Sequence, residues 1–207
     1  MRQRVFLLSP AYAGGLRAQM LMSDRAQFEL ARRLRSTDLP TVGEVFSFLS
    51  GLYFRGKLAY AKAFAPELSG GGSSVLVITP DRGLLAADLP IGVADLRKFA
   101  KVDIHEDDPR YRKPLERDVR KLAKQLPAAT EIVLLGSIAT AKYIDVLLGK
   151  FGDRLLFPAD FVGRGDMSRG GLLLRCAVDR CELPYIPVSG AIRKGKRPPK
   201  LEPRRYT

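Results

Sequence analysis

Short, uninterrupted apolar runs constrain the fold of this chain more than any other sequence feature. Three of them, at residues 5–8, 75–79 and 132–135, consist almost entirely of valine, leucine, isoleucine and phenylalanine. Runs of this length and composition are typical of strands buried on both faces of a parallel sheet. Segments with helical patterns separate them, so we predict an α/β fold with a mainly parallel or mixed sheet flanked by helices. Residues 154–157 and 185–188 are two further strand candidates.

The sequence between the first two runs contains helix start signals. Ser23 is positioned to cap a helix that runs to about Arg35. Thr41 and Glu44 have the spacing of a capping box and predict another helix. Together with the helix expected next, it forms a helical hairpin over about residues 41–66, which we predict to be inserted in the α/β fold.

Two interpretations of this hairpin stay open. In the first it is a helix-hairpin-helix element, whose turn amides and Lys57 hold a phosphate without reading bases. In the second it is an ordinary helical pair whose apolar side chains belong to the core. Residues 51–58 also match the glycine and lysine spacing of a P-loop, but Leu58 replaces the hydroxyl that binds magnesium. A helix, not a strand, precedes this segment, so nucleotide hydrolysis there is disfavoured.

The charge of the chain is strongly positive and unevenly distributed. The sequence has 35 Lys and Arg against 22 Asp and Glu, which gives a net charge of +13. Residues 193–207 form a basic tail, and residues 1–64 carry most of the remaining excess. We predict a single α/β domain over residues 1–192, followed by this tail. Two separate basic regions favour a polyanionic partner, and a nucleic acid above all.

Other classes of protein find little support in the composition. No apolar run approaches the roughly 20 residues needed to cross a bilayer, and the first apolar stretch is too short for a signal peptide. We therefore expect a cytoplasmic protein with no membrane partner. The two cysteines and the single histidine, His105, match no metal-ligand or nucleophile–histidine pattern. We expect no metal and no cofactor, and a solvated surface position for His105.

Loops that follow the predicted strands supply a candidate site. Ligands of α/β proteins bind beyond the carboxyl ends of the strands, and residues 9–15, 80–83 and 136–137 are expected there. A glycine-rich segment at 163–171 follows another strand candidate and is positioned to close the same crevice. The candidate side chains in the three strand-end loops are Ser9, Tyr12, Arg82 and Ser137.

The glycine-rich segment at 163–171 has the composition of an anion cradle. Its glycines let a ligand approach the backbone, Arg164 and Arg169 supply forked donors, and Ser168 is positioned to cap a helix starting near Arg169. A plain connector with solvent-facing arginines is the alternative. Asp166 lies between the two arginines. It suits a general base or the stabiliser of a cationic transition state, as in N-glycosidic cleavage, unless it only orders the arginines.

Four short motifs occur in an order that resembles a known family. LLSPA at 7–11, FLSGLY at 48–53, RGLL at 82–85 and GRGDMSR at 163–169 are similar to segments of the YaaA-like peroxide-stress family. The resemblance covers about residues 5–175. It implies an α/β fold with a helix-hairpin-helix element and a positively charged cleft, DNA binding, and protection of DNA under oxidative stress. This chain is shorter, and its basic tail has no counterpart in the family. The residues that match most directly are Ser9, Pro10, Arg164, Ser168 and Arg169.

These observations lead to two main hypotheses. The first is a protein that binds nucleic acid, DNA in preference to RNA, mainly through phosphates, with Tyr12 and Tyr53 stacking on bases. The second is an enzyme acting on a nucleotide or a nucleic acid base, with Asp166 and Ser9 as catalytic candidates. A basic protein-interaction or ribosome-associated module is a third possibility. The basic side chains expected to hold phosphates are Lys57, Arg164, Arg169, Arg193, Lys194, Lys196 and Arg197.

Overall fold

A computed structural model describes residues 3–68, 71–192 and 195–203. Its strands are β1 (Arg4–Leu8), β2 (Val75–Ile78), β3 (Leu84–Ala86), β4 (Glu131–Leu135), β5 (Leu155–Pro158) and β6 (Tyr185–Pro187). They form one sheet in the order β3-β2-β1-β4-β5-β6. The four inner strands are parallel, and the two edge strands, β3 and β6, are antiparallel to their neighbours. The predicted α/β class with a mixed sheet is confirmed.

Eight α-helices occur in the described part of the chain. They are α1 (Leu16–Met22), α2 (Glu29–Arg33), α3 (Val42–Ser50), α4 (Leu52–Phe64), α5 (Val93–Phe99), α6 (Pro109–Gln125), α7 (Ala141–Phe151) and α8 (Asp166–Asp179). Short 3-10 turns at Gly152–Arg154 and Ala159–Phe161 lie on either side of β5. None of these helices is both long and apolar enough to span a membrane.

The two central strands form the core of the molecule. Every side chain of residues 5–8 and 132–135 is fully buried. Helix α4 packs against α3 and α8, while α6 packs against α7. The connections from β1 to β2 and from β4 to β5 progress in opposite directions along the sheet. Right-handed crossovers then require helices on both faces, which explains why the central runs contain no polar residue.

The capping box predicted at Thr41 is confirmed. The Glu44 amide donates to the Thr41 hydroxyl at 3.2 Å, and the Thr41 amide donates to the Glu44 carboxylate at 2.7 Å. The helix that follows begins at Leu52. Only Gly51 separates α3 from α4, and its φ of +62° makes the sharp turn that a single residue must supply. A helix-hairpin-helix role for this pair stays a prediction.

The helix predicted from Ser23 to Arg35 is wrong. α1 ends at Met22, α2 starts at Glu29, and the Ser23 backbone is extended. Side-chain contacts with the backbone stabilise the bend between the two helices, because the Arg35 guanidinium donates to the carbonyls of Ser23 and Ala26. The short edge strand β3 and helix α5 were not predicted, since neither is long enough for a clear hydrophobic period.

Two glycines allow α4 and α8 to approach each other closely. A Cβ atom on Gly56 would lie 2.5 Å from the carbonyl oxygen of Gly170, and one on Gly170 would lie 2.7 Å from the carbonyl oxygen of Leu52. The two helix backbones are therefore in direct contact at this point. This contact holds the start of α8 beside α4 and so positions the side chains described next.

Candidate functional site

A crevice of about 720 Å³ opens at the carboxyl ends of β1 and β4. Ser9 follows β1, Ser137 follows β4, and Tyr53, Tyr143 and Asp166 come from α4, α7 and α8. The sheet order reverses between β1 and β4, and such a switch point is where α/β proteins bind ligands. The other residues around the crevice are Pro10, Ala11, Tyr12, Ser50, Asp103, Ile104, His105, Thr140 and Lys142.

A larger groove of about 830 Å³ lies between α6 and the strands β2 and β3. Its charged residues are Asp118 and Lys121. The Asp118 carboxylate already accepts a hydrogen bond from the Leu84 amide. We take the smaller crevice as the candidate site because it combines a sheet switch point with buried polar side chains.

The Lys57 amine lies beneath this crevice and is almost completely buried, with 1% of the residue exposed. It contacts the Ser9 carbonyl oxygen at 2.6 Å and the Ser9 hydroxyl at 2.8 Å. It also lies 4.5 Å from the centre of the Tyr53 ring and 4.7 Å from that of Phe54. Burial lowers the pKa of Lys57 to about 7, while the nearby Asp166 carboxylate opposes the shift and the Arg169 guanidinium adds to it. An amine with this pKa can accept a proton near neutral pH.

Ser9 is held in place on both sides of its side chain. Its amide donates to the Leu135 carbonyl at 3.1 Å, which continues the pairing of β1 with β4 by one residue. The Tyr143 hydroxyl donates to the Ser137 carbonyl at 2.8 Å, and it also interacts with the Ser9 side chain. Burial raises the pKa of Tyr143 to about 12, so this hydroxyl stays protonated. A Cβ atom on Gly136 would lie 2.8 Å from the Ser9 Cβ, so only glycine fits here.

Tyr53 lines the crevice and carries a buried hydroxyl. No described residue accepts a hydrogen bond from this hydroxyl, which interacts with the Arg169 guanidinium, and 7% of the residue is exposed. Burial strongly raises the pKa of Tyr53, and the charge of Arg169 only partly opposes this rise. A buried, protonated hydroxyl without a partner is costly unless a ligand accepts its hydrogen bond.

Asp166 and Arg169 form a loose pair at the start of α8. The Arg169 guanidinium lies 3.6 Å from the Asp166 carboxylate and donates to the Phe161 carbonyl at 3.0 Å. The Arg169 side chain is 13% exposed, whereas that of Asp166 is 67% exposed and faces the crevice. The carboxylate is therefore free to meet a ligand. The main contact of the arginine, with the Phe161 carbonyl, stabilises the 3-10 turn that precedes the helix.

The predicted helix cap at Ser168 is wrong. α8 begins at Asp166, and its N-cap is Gly165, which has no capping side chain. An acidic residue in the first turn is itself favourable to the helix dipole, which explains the earlier start. Ser168 instead accepts a hydrogen bond from the Arg164 guanidinium at 3.2 Å. Arg164 also donates to the Asp160 carbonyl at 3.0 Å, so both residues stabilise the turn and neither lines the crevice.

The glycines of the 163–171 segment serve packing rather than an open cradle. Gly170 meets α4, a Cβ atom on Gly171 would lie 3.5 Å from the Leu201 side chain, and Gly163 has a φ of +73° close to the backbone of the tail. Only Gly165 has free space beside it. The solvent-exposed carboxylate of Asp166 also occupies the end of the helix where an anion was expected.

Several predicted site residues lie elsewhere. Lys57 is buried on Ser9 and is not the surface phosphate contact that the helix-hairpin-helix interpretation requires. Arg82 lies past β2, away from the switch point, and forms a salt bridge with Asp95 at 3.1 Å. Lys196 and Arg197 are exposed on the tail. Arg193 and Lys194 lie outside the described residues. His105 is exposed, as predicted, and lies at the rim of the crevice.

The role of Lys57 and the presence of Tyr143 were missed from the sequence. A signal for Lys57 did exist, because Tyr53, Tyr60 and Ala61 are spaced around it on the buried stripe of α4. A lysine within such a stripe is buried unless the helix bends away from the core at that position. Tyr143 had no comparable signal, since it resembles any other apolar residue on the inner face of α7.

Within the described residues, no cluster of three or more His, Cys, Asp and Glu side chains could hold a metal ion. No family model matches the chain, and no curated protein or solved structure matches it significantly.

Proposed function

We propose that the protein binds nucleic acid and acts on a nucleotide or base that enters the switch-point crevice. One observation carries this proposal: a buried lysine amine contacts a serine hydroxyl at 2.8 Å directly below the crevice. Burying an amine is expensive, and perturbed titratable groups in clefts are common at active sites. The exposed Asp166 carboxylate and the Tyr53 hydroxyl complete a set of acid, base and hydrogen-bonding groups.

The dimensions and rim of the crevice suit a nucleotide. Its volume of about 720 Å³ falls within the range typical of small-molecule sites. Tyr12 is 69% exposed at the rim and offers a ring on which a base can stack. Lys142, at the start of α7, also lines the crevice and offers a positive charge to a phosphate. The same hydroxyls and carboxylate that line the walls can form hydrogen bonds with the polar edge of a base.

A basic strip next to α8 supports a polymeric substrate. The described part of the tail, residues 195–203, runs along this helix: Arg164 donates to the Pro199 carbonyl at 3.5 Å, and Arg175 donates to the Glu202 carbonyl. The tail residues Lys196, Arg197 and Lys200 are exposed there. We use the name tail strip for five basic residues, namely Arg164, Arg175, Lys196, Arg197 and Lys200. A strip of this kind holds phosphates without regard to sequence.

The tail strip also favours a second candidate function, in which the protein binds DNA without changing it. Protection of DNA, as the family resemblance implies, would need phosphate contacts and no reaction. In this case the tail strip is the functional surface and Ser9 is dispensable. The two candidates therefore predict opposite results for a variant that alters only the crevice.

The deciding experiment combines a binding assay with a product assay. Labelled single-stranded DNA, duplex DNA and RNA of mixed sequence are titrated by fluorescence anisotropy, and each is then analysed by mass spectrometry for a changed base, an abasic site or a cut strand. We expect binding and a mass change with the wild type, and binding alone with Ser9→Ala. Binding without any mass change favours the second candidate. Absence of binding to all three probes contradicts both.

A further inference from the structure

The contact between Ser9 and Lys57 has the geometry of a nucleophile and its base. We propose that Ser9 is a nucleophile toward the phosphorus of a phosphate ester, and that Lys57 accepts the proton of its hydroxyl. Serine–lysine pairs act as nucleophile and base in acyl-transfer enzymes, and the same activation of a hydroxyl by an adjacent base can serve an attack on phosphorus. This inference rests on the proposed function for one point only, namely that the natural phosphate ester belongs to a nucleotide.

The surroundings leave the two groups little freedom. The Lys57 amine is fixed by the Ser9 carbonyl at 2.6 Å and by two aromatic rings, and the amine does not line the crevice itself. The Ser9 residue does line the crevice, although only 7% of it is exposed. The Ser9 hydroxyl thus connects the buried amine with a molecule bound in the crevice. When the amine is neutral, the hydroxyl becomes the donor of their hydrogen bond.

The proposed step is balanced in atoms and charge. The proton of the Ser9 hydroxyl moves to the Lys57 nitrogen as the Ser9 oxygen forms a bond to phosphorus. The bond between phosphorus and the leaving oxygen breaks on the opposite side of the phosphorus, and that oxygen takes a proton from solvent water. Water then attacks the phosphorus of the phosphoserine ester and gives its own proton to solvent, while the departing Ser9 oxygen takes back the proton held by Lys57. No oxidant, reductant or further reactant is required.

Two features of the crevice suit a phosphoryl group. α7 is 11 residues long, starts at the rim, and its N-cap residue Thr140 makes no capping hydrogen bond with its side chain. The amides of its first turn are therefore available to an anion. Independently, Tyr53 lines the same crevice, and its buried hydroxyl has no hydrogen-bond acceptor among the described residues. Lys142 in the first turn of α7 adds a positive charge.

The charged and titratable groups around Lys57 come from three helices. Tyr53 shares α4 with it, Asp166 and Arg169 come from α8, and Tyr143 comes from α7. Asp166 favours the charged amine, and Arg169 opposes it. His105 lies at the rim of the same crevice, so the experiment includes a variant of it as a control.

The test uses an alkyl fluorophosphonate on the full chain, without nucleic acid. Serine attack on this probe releases fluoride and leaves a phosphonylated serine, which is located by peptide mass spectrometry. We expect the label on Ser9, no label in Ser9→Ala, and normal labelling of Ser9 in Ser189→Ala, which alters an exposed serine outside the crevice. Lys57→Met should slow the labelling by about 100-fold or more, the usual contribution of a general base.

The dependence of labelling on pH provides a second readout. The rate in the wild type and in His105→Gln should rise through a pH of about 7, where the Lys57 amine loses its proton. If Lys57→Met does not fold, this pH profile alone tests whether Lys57 is the base for Ser9. A label on another residue, an unchanged rate in folded Lys57→Met, or a rate independent of pH overturns the proposal.

The proposed function and this inference can fail separately. Labelling of Ser9 without any change in the oligonucleotides refutes the nucleic-acid reaction and keeps the nucleophile. A changed oligonucleotide that depends on Ser9, with no labelling of Ser9 by the probe, refutes the nucleophile and keeps the reaction.

Discussion

Lys57 is the residue at which stability and proposed function meet. Its charged form loses hydration on folding, and no acidic side chain of the described residues forms a salt bridge with it within 4.0 Å. The hydrogen bonds to Ser9 and the two aromatic rings compensate for only part of that loss. A methionine of similar length would fill the same space without a charge.

We predict that Lys57→Met changes how stability depends on pH. The pKa of Lys57 falls from 10.5 in the unfolded chain to about 7 in the folded protein, so between these values the unfolded chain binds more protons. The stability of the wild type should therefore rise with pH through this window, relative to the variant. Denaturant unfolding at about pH 7 and 9.5 should show a relative gain on the order of 3 kcal/mol. Parallel pH profiles for the two proteins would contradict the assignment.

At the scale of single elements, helix ends and helix contacts distinguish residues that look alike in the sequence. Thr41 and Thr140 both occupy N-cap positions, but only the Thr41 side chain accepts a hydrogen bond from its helix. Gly56 and Gly149 both lie inside helices, but only Gly56 touches another backbone.

Thr41→Ala should destabilise the protein by about 1 kcal/mol, because the Glu44 amide loses its acceptor. Thr140→Ala is the matched control, since it removes the same hydroxyl from an N-cap where no such bond exists. Chemical denaturation of both variants measures the difference. Equal losses of stability would show that the capping box does not stabilise α3.

Gly56→Ala should cost about 1–3 kcal/mol or more, because the new methyl group would collide with the Gly170 carbonyl and force α4 and α8 apart. Gly149→Ala should instead stabilise the protein by about 0.5–1 kcal/mol, since no atom lies within 4 Å of the added carbon and alanine favours a helix. Thermal unfolding should move the two melting temperatures in opposite directions. A shift in the same direction would refute the close contact.

At the scale of the whole molecule, the fold and the net charge have different roles in the proposed function. The sheet brings the ends of β1 and β4 together and creates a crevice. The net charge of +13 draws a polyanion toward the surface, and the tail strip lies next to the helix that carries Asp166. In the proposed function, the crevice selects the group that reacts and the tail strip binds the polymer.

Replacing Lys196, Arg197 and Lys200 with alanine should weaken the salt dependence of duplex DNA binding. If each contacts one phosphate, the slope of log K against log salt should fall by about 3. Arg120→Ala/Lys121→Ala/Lys124→Ala removes the same charge from α6 and should leave the slope nearly unchanged. Anisotropy titrations across a salt series provide the slopes. Similar slopes for both triple variants would point to general charge attraction without a defined strip.

Local patterns were sufficient to predict five of the six described strands and the loops that follow the parallel ones. The apolar runs at 5–8 and 132–135 became the two central strands, and the Thr41 capping box formed as its spacing indicated. The loops after those strands meet in one crevice. The 80–83 loop does not join them, because β2 lies on the other side of β1 from the switch point.

By itself, the sequence determined the α/β class, the central strands, the net charge and the strand-end position of Ser9. Only the tertiary structure decided which side chains surround Ser9. Lys57 and Ser9 are 48 positions apart, and they meet because the Gly56 contact with α8 sets the position of α4. Hydrophobic period and capping reflect neighbours within a few residues of the chain. The environment of a buried amine depends instead on how separate helices pack, which no local pattern encodes.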